Sequence, residues 1–166
     1  MILRGFSYIL GDDVNTDLII SGRYKFAISD INELSKHIFE DIDPQFYSKL
    51  KHGESLLVGG KNFGMGSSRE QAPLAIKGAG IIAVVAKSFA RIFYRNAINI
   101  GLPLIEADTS KIKENDQLSI DLEKGFLKNI TQGCEVKILP LPQVMVNLLS
   151  DGGLVNHFKK YGTVKL

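Results

Sequence analysis

The sequence predicts a mixed α/β domain, and three observations predict it. Two short apolar runs, Leu56-Leu57-Val58 and Ile81-Ile82-Ala83-Val84-Val85-Ala86, suit strands of a sheet covered on both faces. Each is followed by a loop and then by a stretch of helical spacing. Further on, Leu118 to Leu122 and Phe126 to Ile130 alternate around Glu123-Lys124-Gly125, the pattern of a hairpin.

The remaining elements follow in order. Ile2 to Leu10 reads as the first strand and runs into the polar cluster from Gly11 to Asp17, a loop by composition. Leu18 to Ile20 is a short apolar run. Ser29 or Asp30 can cap a helix whose apolar face is Ile31, Leu34, Ile38 and Phe39. After the strand at 56–58, helical spacing resumes near Ser68 and reaches Gly78-Ala79-Gly80. Ser88 can cap a helix across Phe89 to Asn96, which stops before Gly101-Leu102-Pro103. Leu104-Ile105 begins another strand, Glu135 to Leu139 follows the hairpin, and Val144 to Leu149 and Leu154 to Lys159 read as closing helices. No internal repeat or long linker interrupts the chain, and 166 residues fit one domain spanning 1–166.

Composition narrows the function. Apolar residues make up 45% and charged residues 23%, enough to bury a core. A net charge of +2 gives no footprint for nucleic acid or an anionic membrane. The opening lacks the layout of a cleaved signal peptide, so a cytoplasmic location is expected. Cys134 stands alone, which fits a reducing compartment and rules out a cluster held by this chain's own thiolates. His37, His52 and His157 show no metal-ligand spacing, so no metal is expected on this chain. Cys134 itself reads as a small buried residue.

The densest chemistry lies in GGKNFGMGSSRE, residues 59–70. A Walker loop would need its Lys-Ser/Thr at the end, whereas Gly60-Lys61 comes first and Asn62 follows. A dinucleotide loop would need a third glycine where Arg69 stands. What remains is a glycine loop opening a helix on Ser-Ser-Arg-Glu. A helix start welcomes an anion, and arginine adds a fork that matches a carboxylate. One hydroxyl could then exchange a proton with the bound molecule, given cationic surroundings. The structural alternative is a capping box, Ser67 as N-cap and Glu70 as its reciprocal partner, and the two are compatible.

Residues 60–70 and the stretch Lys87-Ser88-Phe89-Ala90-Arg91-Ile92-Phe93-Tyr94-Arg95-Asn96-Ala97-Ile98-Asn99 together resemble the swivelling domain of the aconitase superfamily. Within it, they are similar to the small subunits of 3-isopropylmalate dehydratases. Asp13-x-x-Thr16-Asp17 matches as well, and the resemblance covers essentially the whole chain. It implies a compact β/β/α swivelling domain closing over a separate large subunit that carries a [4Fe–4S] cluster. It implies dehydration and rehydration of a small 2-hydroxy di- or tricarboxylate. Ser67 becomes the base that takes a proton from carbon, and Ser68 and Arg69 hold a substrate carboxylate. Asp13, Thr16, Asp17 and Arg91 are supporting candidates, although Asp and Thr also favour turns and caps without any function.

In such proteins a short loop after the Asp-rich segment meets the variable substrate group, here Tyr24, Lys25 and Phe26. Homoaconitases resemble one another in a Tyr-Leu-Arg-Thr stretch, and alignment on Tyr24 puts Phe26 where that arginine would be. Phenylalanine suits an alkyl group, whereas Lys25 departs from the usual apolar residue and could supply the missing cation. Isopropylmalate is the preferred substrate on this reading, with homoaconitate or another alkylmalate as the alternative. A non-catalytic carboxylate-binding module is the competing class.

Overall fold

The computed structural model describes residues 1–68 and 70–164. Strands β1 (Ile2–Ile9), β2 (Ser55–Val58), β3 (Ile81–Ala86), β4 (Leu104–Glu106), β5 (Gln117–Asp121), β6 (Phe126–Asn129) and β7 (Cys134–Lys137) form one sheet. Its order is β4-β3-β2-β1-β5-β6-β7. The four strands from β4 to β1 run parallel, and β5, β6 and β7 add antiparallel. All of β2 is buried, and β3 nearly so, as their uninterrupted apolar runs require. Edge strand β7 alternates in exposure, which leaves Cys134 half-buried and corrects the fully buried position expected for it.

Helices α1 (Thr16–Ile19), α2 (Gly22–Lys25), α3 (Ile31–Ser35) and α4 (Phe46–Lys49) fill the connection from β1 to β2. Then come α5 (Gln71–Gly78), α6 (Arg91–Asn99), α7 (Gln143–Ser150) and α8 (Leu154–Tyr161). Asp30 caps α3 by accepting from the Glu33 amide at 3.0 Å. That helix ends at Ser35, short of the expected reach to Phe39. Phe39 instead takes a positive φ of 53° and buries its ring 4.8 Å from Phe46. Removing that ring from water contributes roughly 1.5–3 kcal/mol, more than an extra helical turn at the surface would. Helix α6 starts at Arg91, two residues later than expected, because the Ser88 hydroxyl accepts from the Asn62 amide and not from its own helix.

The sheet separates two apolar clusters. On one face Ile19, Leu34, Ile76 and Phe93 bring α1, α3, α5 and α6 against Leu57 and Val84. On the other, Leu56, Val85, Ile120 and Leu127 pack with Ile98 and Leu149. No helix among the described residues is long and apolar enough to cross a membrane.

A buried carboxylate ties β1 to the hairpin. Asp116 accepts from the Lys113 amide at 2.8 Å, from Asn129 Nδ2 at 2.6 Å and from the Gln132 amide group. Its own N–H donates to Ser7 Oγ at 2.9 Å. Burial works to raise this carboxyl, but the three donors together outweigh it and hold it below its ordinary 3.8. A lowered folded value means stability that is full above the ordinary value and is lost as pH falls through the folded one. The gap in thermal midpoint between the parent and Asp116→Asn is therefore expected to narrow below about pH 4. A constant gap across an acid titration would remove the carboxylate from this role.

Candidate functional site

The loop from Gly59 to Ser68 is built against two other segments. Gly60 N–H donates to the Gly11 carbonyl at 3.0 Å, Gly64 N–H to Val14 at 2.8 Å, and Thr16 N–H to Met65 at 2.8 Å. From the other side, Phe63 N–H donates to Ser88 and Ala90 N–H to Phe63. Phe63 is fully buried and meets Phe89 and Phe93 edge-on, with centroids 6.0 and 5.5 Å away. Two glycines show why side chains are excluded. A Cβ on Gly64, where φ is +82°, would lie 2.1 Å from Phe93. On Gly66, at φ +104°, it would lie 2.7 Å from Asn15 Oδ1. The closest approaches to this backbone come from the protein's own loops and helix.

Helix α5 begins at Gln71, with Glu70 at its N-cap and no side-chain capping bond. The expected capping box does not form. Pro73 explains the later start, because it lacks an N–H and fits the first turn. Ser67 and Ser68 therefore lie in irregular backbone just ahead of the helix. Ser67 N–H donates to Thr16 Oγ1 at 3.0 Å, and the Ser68 carbonyl accepts from Asn96 Nδ2 at 3.0 Å. Among the described residues, neither serine hydroxyl has a hydrogen-bond partner. Arg69, the expected carboxylate fork, lies outside the described residues.

Ser67 opens on a depression of about 510 Å³ shared with Asp17, Lys25 and Phe26. Ser68 opens on a neighbouring one of about 520 Å³, also lined by Lys25. The Lys25 side chain is only 3% exposed, and its Nζ donates to Asp17 Oδ1 at 2.5 Å. The ammonium that sequence left available is thus already matched by a carboxylate, at the junction of both depressions. Phe26 is exposed on the Ser67 side. Tyr24 points elsewhere, stacking on His37 at 3.9 Å. A hydrogen bond to Glu40, then burial and nearby charge, raise its hydroxyl above the ordinary phenol value.

The other candidates are distributed differently. Thr16 is buried and bonded to Ser67, and Asp17 is bonded to Lys25. Asp13 takes a positive φ of 53° and accepts from Asn62 Nδ2 at 3.0 Å, bracing the loop without lining the depression. Arg91 borders a separate apolar cavity of about 360 Å³ with Tyr94, Leu104 and Glu106. That cavity is better enclosed and more apolar, yet Ser67 and Ser68 do not border it. The polar groups Asp17, Lys25 and Ser67 converge on the other depression. Lys87 precedes α6 and so shares no helix face with Arg91 and Arg95. No three His, Cys, Asp or Glu side chains are grouped to hold a metal among the described residues.

Sequence reasoning missed Asn96 and the Lys25–Asp17 pair. Asn96 carried a signal, since an amide buried on α6 beside Phe93, Ala97 and Ile98 needs a polar partner. The Lys25–Asp17 pair carried none, because α2 is one turn long.

Residues 17–109 match the profile of the aconitase C-terminal domain. Over all 166 residues the chain is 53% identical to 3-isopropylmalate dehydratase small subunit 2 of Archaeoglobus fulgidus, covering 100% of both. It is 50% identical to the methanogen homoaconitase small subunit of Methanothermobacter thermautotrophicus, covering 96% of this chain and 92% of that one. Its structure is similar to the crystal structure of 3-isopropylmalate dehydratase from Methanocaldococcus jannaschii, with a TM-score of 0.91 and 47% identity. That match covers 98% of this chain and 96% of the other.

Proposed function

The chain belongs to the aconitase C-terminal-domain family, and from that membership we propose that it is the small subunit of a two-subunit 3-isopropylmalate dehydratase. This hydro-lyase interconverts 2- and 3-isopropylmalate in leucine biosynthesis by removing and re-adding water. The whole chain acts as one swivelling domain in the cytoplasm, without nucleic acid or membrane. It works only with a large subunit.

The observation that carries the catalytic reading is the Ser67–Ser68 pair, held by its backbone beside two neighbouring depressions, with both hydroxyls unengaged among the described residues. Ser67 Oγ, as the alkoxide, takes the proton from the substrate carbon to become the hydroxyl, and gives it back in the reverse direction. Ser68 Oγ and the Arg69 guanidinium hold a carboxylate, so that the acidic C–H faces Ser67. A [4Fe–4S] cluster does not fit this chain, which has one thiol. In this reading it belongs to the large subunit and supplies a Lewis acid for the departing hydroxyl.

Phe26 beside the Ser67 depression, and a Lys25 ammonium already neutralised by Asp17, both favour an alkyl substituent. The homoaconitase reading draws on the same lysine: a tricarboxylate could compete with Asp17 for it. Arg69→Lys is expected to raise KM severalfold or more, because ammonium cannot present two parallel donors to a carboxylate. An unchanged KM would take Arg69 out of the site.

The experiment for the assignment as a whole is reconstitution. The chain alone should show no hydro-lyase activity and no iron–sulfur absorbance, and should co-purify with a cluster-bearing large subunit to give activity on isopropylmalate. Stable co-purification without turnover on any 2-hydroxy acid would favour the non-catalytic binding module.

A further inference from the structure

We infer that Asn96 is a positioning residue for the reaction, acting through the Ser68 backbone, with Thr16 as its counterpart on Ser67. The inference rests on the proposed role of the two serines and adds what aims them.

Ser67 and Ser68 sit in backbone that belongs to neither helix nor strand. Such a stretch has no ladder of its own hydrogen bonds, and a side chain on it inherits whatever wobble the backbone has. Two long-range bonds remove that freedom. Thr16 Oγ1 accepts the Ser67 N–H at 3.0 Å, from a residue 51 positions away. Asn96 Nδ2 donates to the Ser68 carbonyl at 3.0 Å, from a residue 28 positions away. One bond fixes the amide entering Ser67, and the other fixes the carbonyl leaving Ser68, so the dipeptide is held at both ends.

Both anchors are themselves rigid. Thr16 is 2% exposed, and its own N–H is bonded to Met65. Asn96 is 6% exposed on α6, between Phe93 and Ala97 of the core. A buried amide on that face costs stability unless it is bonded, so its presence calls for a function that an apolar side chain could not serve. Neither Asn96 nor Thr16 borders the Ser67 depression, and each acts through the backbone of the serine it bonds.

Rate depends steeply on this aim, since misplacing a reacting group by about 1 Å can cost on the order of a hundredfold. Asn96→Asp is the informative change, being nearly isosteric. As a carboxylate it can only accept, and it faces an acceptor. Once protonated it can donate to the Ser68 carbonyl again. Burial and the facing carbonyl both raise the introduced carboxyl, which brings its titration towards the working range.

The test measures the parent and Asn96→Asp, each reconstituted with the large subunit, for kcat and KM across pH. It also measures amide hydrogen exchange on the isolated chains. Expected are a kcat lower by about tenfold or more at neutral pH, recovery towards the parent as pH falls, and faster exchange at Ser67 and Ser68. Thr16→Val, with Thr16→Ser as the rescuing variant, gives the same readout at the other end and serves if Asn96→Asp does not fold. Unchanged exchange at the two serines in both variants overturns the inference whatever the enzyme does. If exchange quickens but kcat stays within twofold of an active parent at every pH, positioning is also refuted. A parent inactive on isopropylmalate would instead count against the functional reading, and the exchange result would still decide whether Asn96 holds Ser68.

Discussion

Replacing Ser67 with alanine is expected to lower turnover of the reconstituted enzyme by at least about a hundredfold, the usual scale for a lost proton-transfer group. Folding should survive. The Ser67 N–H that bonds to Thr16 belongs to the backbone, and the hydroxyl that is removed caps no helix. An N-cap serine changed to alanine would cost about 1 kcal/mol, and even that cost is absent where α5 starts at Gln71. The measurement is kcat alongside the thermal midpoint of the isolated chain. A variant with parental kcat would leave Ser67 as a spacer in the loop. A variant with a collapsed midpoint would show that the hydroxyl holds the fold.

Phe26→Arg is expected to move substrate preference from isopropylmalate towards a tricarboxylate. Two changes act in the same direction. The aromatic contact with an alkyl group, worth roughly 1–3 kcal/mol, is lost, and a partner for an additional carboxylate is gained. The quantity to follow is the ratio of kcat/KM values, because damage to the short helix α2 would lower both values and leave their ratio alone. Lys25→Leu is the companion variant. It removes the ammonium that now bonds Asp17, and Asp17 is exposed enough to be hydrated without it. If the alkyl reading is right, Lys25→Leu keeps isopropylmalate turnover; selective loss of tricarboxylate turnover would mean that the lysine serves substrate. An unchanged ratio in Phe26→Arg would place specificity on the large subunit.

The parts of this protein legible in the sequence are those governed by local pattern. Ile81 to Ala86 emerges as a strand with the expected bounds, because six consecutive apolar residues leave no other economical burial. The hairpin at 117–129 follows its alternation. The one-turn helices α1, α2 and α4 carry too few residues for any period to show, and Phe39 leaves its helical pattern for a tertiary contact. The glycine loop was legible as a tightly packed stretch of backbone, but not what crowds it. The neighbours that exclude side chains there are Phe93 and Asn15, which are distant in sequence. Likewise, Ser67-x-x-Glu70 has the spacing of a capping box, and only the placement of Pro73 in the first turn shows why the helix starts beyond it. Lys25 could be read as a spare cation until Asp17 was seen beside it.

The most direct test is the substrate preference of the chain reconstituted with a cluster-bearing large subunit. The assay compares kcat/KM for 3-isopropylmalate with that for a tricarboxylate homologue such as homoaconitate, under identical conditions and with each subunit alone as control. The predicted result is turnover by the pair only, with isopropylmalate favoured by about tenfold or more, the discrimination expected of one apolar contact. Turnover of the tricarboxylate with little or none of isopropylmalate would contradict the account and assign the protein to homoaconitase chemistry.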